Sequence, residues 1–466
     1  MKQVAFAGRL VMVGNGSIGQ AVLPLILRHI AMPPERIHIV TADERGHAEA
    51  AGYGIGVSIQ PLTRQNYADV LTPLLAPGDF LLNLSVDVSS VALVRLCQER
   101  GALYLDTCIE PWMGGYTDPS LSPSLRSNYA LRESALALAA PGVPTAVLTH
   151  GANPGLVSHF LKEALLNLSR DTGGPAGVPG TREGWAALAR TLGVKVVHIA
   201  ERDTQWAAAP KRIGEFVNTW SIDGFVGEGC QPAELGWGSH ERALPADGRR
   251  HDFGCGAAIY LLRPGAGTQV RSWTPLSGPY HGFLITHNES ISMADYFTLR
   301  DGERVVYRPT THYAYHPCDA AVLSVHELAG GGWRQPPEQR LLMHDIEGGV
   351  DELGVLLMGH ARGAYWYGSV LSTEAARKLA PHNSATSLQV AAGVLGGMVW
   401  AMENPRAGVV EADQIDHARV MDVARPYLGE MVGAYSDWTP LAGRGRLFPE
   451  DLDPTDPWQF RNFRVA

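Results

Sequence analysis

The sequence predicts an α/β fold, an N-terminal Rossmann-type parallel sheet followed by a second, α+β domain. Three observations carry this. The apolar run Leu10-Val11-Met12-Val13 leads into Gly14-Asn15-Gly16-Ser17-Ile18-Gly19 and then into the apolar stretch Ala21–Leu27. Short apolar runs alternate with helix-like stretches through residues 1–150, the pattern of a parallel sheet covered on both faces. From about residue 190 strand-like runs take over, with frequent glycine and tryptophan.

Strand, glycine turn and helix in that order bring backbone N–H groups to a pyrophosphate at a helix N-terminus, where the helix dipole favours negative charge. The first glycine permits the tight turn, the second leaves room for the phosphates and the third lets helix and strand pack closely. Gly14, Gly16, Ile18 and Gly19 are therefore expected to line a dinucleotide site. Ile37-His38-Ile39-Val40 reads as the next strand, and Asp43 stands just beyond it. The interval of about 20 residues suits a carboxylate that accepts from a ribose 2′-OH. Asp43 favours NAD over NADP, because a 2′-phosphate would meet like charge; Arg45 weakens that preference.

Further strands are predicted at 80–85, 102–106 and 145–148, with helices over 88–100 and 131–140. Ser85, Asp87, Asp106, Thr107 and Glu110 then fall at or just past strand C-terminal ends, which face the ligand crevice in such folds. Residues 1–150 form the dinucleotide-binding unit. Residues 171–181 are a Gly/Pro-rich loop. Residues 151–380 form the second domain, with strands at 194–200, 256–262, 282–286 and 304–307. In the remaining segment, 381–466, a long helix over 384–403 with Ser384 as a possible cap precedes a proline-containing tail that packs back on the body.

With 466 residues, 45% hydrophobic and 18% charged, the chain has the composition of a globular protein with a sizeable core. A net charge of −9 without a basic stripe argues against nucleic acid and suits a cationic ligand. Five scattered cysteines with no C-x-x-C pair suggest neither a disulfide framework nor a zinc site, and point to a reducing compartment. Lys2 and the apolar stretch after it resemble a leader, but Arg9 interrupts it and the glycine motif follows, so it reads as part of the fold. No membrane span is expected.

Glu110, Trp112 and Asn153 in the first half, and Glu201, Glu215, Trp220, Asp223, Glu228, His287 and Glu289 in the second, stand at turns or strand ends. Each alone reads as surface or core. Together, carboxylates and an indole near a nicotinamide make a site for a cation. Carboxylates hold ammonium groups by charge-assisted hydrogen bonds. An indole face stabilises a cationic iminium by about 0.5–2 kcal/mol. A catalytic metal is not expected: His281 and His287 near Glu289, and His312 with His316, lack an evident further ligand.

Over nearly its full length the chain resembles the bacterial homospermidine synthases of the saccharopine dehydrogenase-like group. The carriers are residues 13–20 and 83–87, Tyr-Leu-Asp-Thr-Cys-Ile-Glu-Pro-Trp (104–112), residues 150–160, Glu-Arg-Asp-Thr-Gln (201–205), Asn-Thr-Trp-Ser (218–221), Thr-His-Asn-Glu-Ser-Ile-Ser (286–292) and residues 315–320. The resemblance implies an enzyme that joins two putrescines into homospermidine and releases ammonia, with spermidine as another aminobutyl donor. NAD accepts a hydride from the carbon bearing one amine, the imine exchanges its nitrogen, and the same hydride returns.

The resemblance also implies roles. Trp220 would stabilise the cationic imine, and Glu110, Glu201 and Glu228 would hold ammonium groups. Asn153 would position an amine, and His287 with Glu289 would handle protons. Asp87 would contact substrate or ribose, and Asp351 the distal amine. Ser85 and Thr107 would join Asp43 and the glycine loop around NAD. A homodimer follows from the same resemblance and is assigned to the second, substrate-binding domain; a cytoplasmic location is expected from the cysteine usage.

Two alternatives stand beside this reading. A reductive condensing dehydrogenase of the saccharopine or carboxynorspermidine type would consume NAD(P)H stoichiometrically and need an arginine for its substrate carboxylate. A nucleotide-sensing scaffold would need only the glycine loop.

Overall fold

The computed structural model describes residues 2–465. Its first sheet has seven parallel strands in the order Val409–Glu411, Ala146–Leu148, Leu103–Asp106, Phe80–Asn83, Leu10–Val13, Ile37–Thr41 and Gly56–Ile59. The central strands are buried on both faces. Leu10 and Met12 pack into one core and Val11 and Val13 into another, as side-chain alternation along a strand requires. On the Leu10 face lies the helix Ser17–His29, which packs against the helix Ala385–Glu403. The helix Ser90–Arg100 covers the opposite face.

The predicted strands are present: that over 37–40 runs one residue further, to Thr41, and those over 80–85, 102–106 and 145–148 are shorter by a residue or two. The helix expected over 131–140 instead spans Asn128–Leu136, because Ser127 caps its N-terminus by accepting from the Ala130 N–H. The expected long helix spans Ala385–Glu403, and Ser384 and Ser387 form a reciprocal capping box. It is apolar and long enough to cross a membrane (mean hydropathy 1.3 over 18 residues), yet 83% of that stretch is buried inside the protein, as suits a core helix. Glycines let it approach closely: a Cβ on Gly393 would lie 1.9 Å from the Gly151 carbonyl oxygen. That contact seats the segment 150–155 on the helix.

The second sheet has ten strands. Its main path runs Gly248–Arg250, Ala258–Pro264, Pro232–Gly236, Thr310–His316, Val196–Asp203, Val350–His360, Gly363–Ser372 and Glu430–Ser436. A hairpin, Gln269–Thr274 with Gly278–Phe283, joins through Phe283 opposite Tyr315. Thr310–His316 and Val196–Asp203 pair in parallel. Their register sets Tyr315 beside Glu201, and Asp351 faces Asp203 across the next, antiparallel pairing. Burying aromatic rings on the same face as these carboxylates excludes water from that end of the sheet.

The strand expected at 282–286 ends at Phe283, and 284–287 leaves the sheet to start the helix Asn288–Tyr296. The segment 381–466 does not form a unit of its own. Val409–Glu411 is an edge strand of the first sheet and Glu430–Ser436 an edge strand of the second.

Candidate active site

A cleft of about 1130 Å³ opens between the two sheets. The glycine loop forms one wall. Gly14 has φ +92°, and a Cβ there would lie 2.8 Å from the Leu84 carbonyl oxygen. A Cβ on Gly19 would lie 2.9 Å from Asn15 Oδ1. Gly16 has no atom within 4 Å of its Cβ position and caps the helix Ser17–His29 with no side chain on the free N–H groups. An open, uncapped helix N-terminus beside the cleft is the shape that a pyrophosphate fills. Ile18, Asp43, Ser85 and Thr107 line the same wall, whereas Gly19 supports the turn from behind. Asp43 is held by Arg45, whose Nε donates to Oδ2 at 2.8 Å; that bond keeps the carboxyl below its ordinary range.

The acidic residues of the cleft come from both the first sheet and the second domain. Glu110 follows the strand Leu103–Asp106 and is pinned by Ser90: its N–H donates to Ser90 Oγ at 3.0 Å. Its carboxylate accepts from the Asp87 N–H at 3.3 Å. Burial, then the nearby Glu228 charge, push the Glu110 carboxyl well above its ordinary range. Asp87 is raised too, by burial and then by Asp223. Glu228, on the helix Ile222–Cys230, accepts from Cys108 Sγ at 2.9 Å and lies 2.9 Å from His287 Nε2. The other ring nitrogen of His287 lies 3.3 Å from Glu289 Oε1. Burial opposes a charged imidazole here, but the two flanking carboxylates prevail and hold His287 up at about 10.

Trp220 sits between the strand Glu215–Asn218 and the helix Ile222–Cys230, capped by Ser221. Its indole N–H donates to the Tyr315 hydroxyl at 3.0 Å, and the ring lines the cleft. Asn153 Nδ2 donates to Glu201 Oε2 at 2.7 Å, and the Tyr313 hydroxyl donates to the same oxygen. Burial raises Glu201 and these bonds moderate the rise, leaving it at about 7.

Asp87, Glu110, Asn153, Glu201, Trp220, Glu228 and His287 thus share one cleft with the glycine loop. Glu289 and Asp351 do not line it: Glu289 stands behind His287, and Asp351 accepts from the hydroxyl of Thr386, which does line it. Glu215, one of the acidic candidates, lies elsewhere, bound to Arg340 at 3.0 Å. The histidines considered for a metal separate: His312 packs on His198 with centroids 4.0 Å apart, His316 bonds the Pro317 carbonyl oxygen, and His281 is exposed on its strand.

Sequence reasoning overlooked Asp203, Cys108, Tyr313, Tyr315 and Thr386. Asp203 is two residues from Glu201 and Tyr313 two from Tyr315, so side-chain alternation along strands was the signal for both pairs. Asp203 is fully buried, accepts from Thr219 Oγ1 at 2.7 Å, and is raised by burial.

Two family models cover most of the chain: the saccharopine dehydrogenase NADP binding domain matches residues 10–147 and the saccharopine dehydrogenase C-terminal domain matches residues 151–436. The chain is 56% identical to a homospermidine synthase of Blastochloris viridis, over 98% of this chain and 97% of that protein. It is 52% identical to one of Mesorhizobium japonicum, over 98% and 96%. The crystal structure of a homospermidine synthase from Legionella pneumophila in complex with NAD superposes with a TM-score of 0.93 at 49% identity, covering 100% of this chain and 99% of that one. A saccharopine dehydrogenase from Saccharomyces cerevisiae shares the fold at 11% identity (TM-score 0.52). The chain belongs to the homospermidine synthase family, within the saccharopine dehydrogenase-like proteins.

Proposed function

We propose that this chain joins two putrescines into homospermidine with release of ammonia, or uses spermidine as the aminobutyl donor with release of diaminopropane. The carrying observation is the charge of the substrate wall. Asp87, Glu110, Glu201, Asp223 and Glu228 line it, while the arginines on the cleft, Arg45 and Arg64, stand on the dinucleotide side. A diamine finds carboxylates there, whereas Arg45, which feels Asp223 of that wall, is already held by Asp43. This favours aminobutyl transfer over reductive condensation. A sensor would not need the acidic wall.

The glycine loop, Asp43, Ser85 and Thr107 would hold NAD, which when bound supplies a hydride acceptor and returns the hydride, so that the net reaction is redox neutral. Glu110, Glu228 and Asp87 hold ammonium groups at one end of the cleft. Glu201, poised near neutrality, takes a proton from an amine that Asn153 orients, since only the neutral amine can attack an imine carbon. The Trp220 face stabilises the cationic imine. His287, with Glu228 and Glu289 on either side, donates a proton to the departing nitrogen. Asp351 acts on the distal amine through Thr386. Asp87 and Glu110 at the end of the first sheet and Glu201, Asp223 and Glu228 of the second domain together supply the substrate wall, the second domain supplies the surface of a homodimer, and the enzyme works in the cytoplasm.

The test is to incubate the purified protein with putrescine and substoichiometric NAD, then quantify homospermidine and ammonia. Equal amounts and many turnovers per NAD are expected. NAD(P)H oxidation with an amino acid and a carbonyl compound, without homospermidine, would move the chain to the reductive branch.

A further inference from the structure

Away from the cleft, three side chains from distant parts of the chain converge. Glu49 lies on the helix His47–Gly52 of the dinucleotide-binding unit. His344 lies in the turn between the strands Glu338–Leu341 and Ile346–Gly348. His382 lies between the helices Thr373–Leu379 and Ala385–Glu403. One carboxylate oxygen and one nitrogen from each imidazole lie within 4.8 Å of one another. The two rings meet edge to face, with centroids 6.2 Å apart. Among the described residues, no group forms a hydrogen bond or ion pair with these three side chains. Beside them is a cavity of about 170 Å³, lined by both histidines together with Ser17, Arg377 and Ser384. It has room for water.

From this convergence we infer that Glu49, His344 and His382 bind one divalent transition-metal ion of the zinc class, which ties the dinucleotide-binding unit to the second domain. The donor set decides the class. Calcium and magnesium prefer all-oxygen shells, whereas two imidazoles and one carboxylate suit zinc, cobalt(II) or nickel(II), with water completing the shell. Zinc–ligand bonds of about 2.0–2.2 Å place tetrahedral donor atoms about 3.4 Å apart. Rotation of the three side chains, free of other partners, draws the donors in from 4.8 Å. The ion would steady the helix His47–Gly52, and with it the preceding loop that carries Asp43 and Arg45. Ser17, which opens the phosphate-facing helix, borders the same cavity. The site therefore sits where an ion can couple closure of the two units to dinucleotide binding.

The test uses tag-free full-length protein, freed of metal with a chelator and studied without NAD or amines, so that its outcome is independent of the assigned reaction. Zn²⁺ is titrated calorimetrically, and Co²⁺ binding is followed by its visible absorption. One ion per chain is expected, with micromolar or tighter affinity. Glu49→Gln, His344→Ala and His382→Asn should each weaken binding by at least about tenfold. Asn suits position 382, where φ is +59°. The metal-free variants should melt with the wild type, and the ion should raise the melting temperature of the wild type alone. Absence of saturable micromolar binding, or unchanged affinity in the His344→Ala/His382→Asn double variant, would overturn the inference.

Discussion

His287 Nε2 and Glu228 Oε2 lie 2.9 Å apart, a buried contact between the start of one helix and the last turn of another. Glu228 also accepts from the Cys108 thiol, so a single carboxylate joins the strand-end segment of the first sheet to the proton-handling residue of the second domain. The imidazole is kept protonated at neutral pH by this pairing.

That pairing shapes the pH profile. Glu201, held at about 7, must be ionised to accept a proton, so kcat/KM should rise through that pH. His287, held at about 10, must be protonated to donate one, so kcat/KM should fall above it. A bell with limbs near these values is expected. Glu201→Gln should lower the plateau and abolish the acidic limb; a surviving limb would assign that ionisation elsewhere.

Glu110 offers a binding test. Its carboxyl is raised well above its ordinary range by burial and then by Glu228, which favours a proton on it while no amine is bound. An incoming ammonium favours the carboxylate and should displace that proton. Putrescine binding to the NAD-loaded protein should then release protons, seen as buffer-dependent heats in calorimetry. Glu110→Gln should reduce the release and raise KM by about tenfold or more, the loss of a charge-assisted bond.

Trp220→Ala should slow turnover by about 2- to 30-fold, corresponding to about 0.5–2 kcal/mol of cation–π stabilisation. NAD affinity, measured by fluorescence titration, should not change. Trp220→Phe should fall in between. Wild-type turnover by the alanine variant would remove the indole from the mechanism.

Asp43 and Arg45 set dinucleotide choice together. Asp43→Ala removes the acceptor for a ribose hydroxyl and frees the guanidinium now bonded to it. NAD binding should weaken by about tenfold, and NADP binding should improve. Parallel titrations of the variant with both dinucleotides give the ratio.

Arg132 tests the frame. It is almost fully buried and grips Glu411 through Nε and a terminal nitrogen, both at 2.7 Å, with Asp295 at 2.9 Å from the same guanidinium. Arg132→Ala would leave buried carboxylates unpaired and should cost about 3–5 kcal/mol in urea unfolding. Arg132→Lys should recover only part, lacking the two-pronged geometry.

The glycine loop, Asp43 and the strands beside them are legible in the sequence because each rests on neighbours in the chain: a turn, a run of apolar residues, a fixed interval. The acidic candidates are legible by residue type. Their grouping is not, since it depends on which strands lie side by side. Asp203 and Asp351 meet only through the register of two strands, and Tyr315 meets Glu201 through another. Gly56–Ile59 lies at a sheet edge and lacks the continuous apolar run that marks a buried strand. The three-residue strand Val409–Glu411 is too short to show a period.

That last strand makes the architecture indivisible. The chain builds six strands of the first sheet, crosses into the second domain, and returns to add the seventh. A fragment ending near residue 150 would expose the flank of Ala146–Leu148 and leave Arg132 without Glu411. The two halves cannot be exchanged between relatives like beads on a string. They must be inherited together, and during synthesis the dinucleotide-binding unit stays unfinished until the ribosome has passed residue 411.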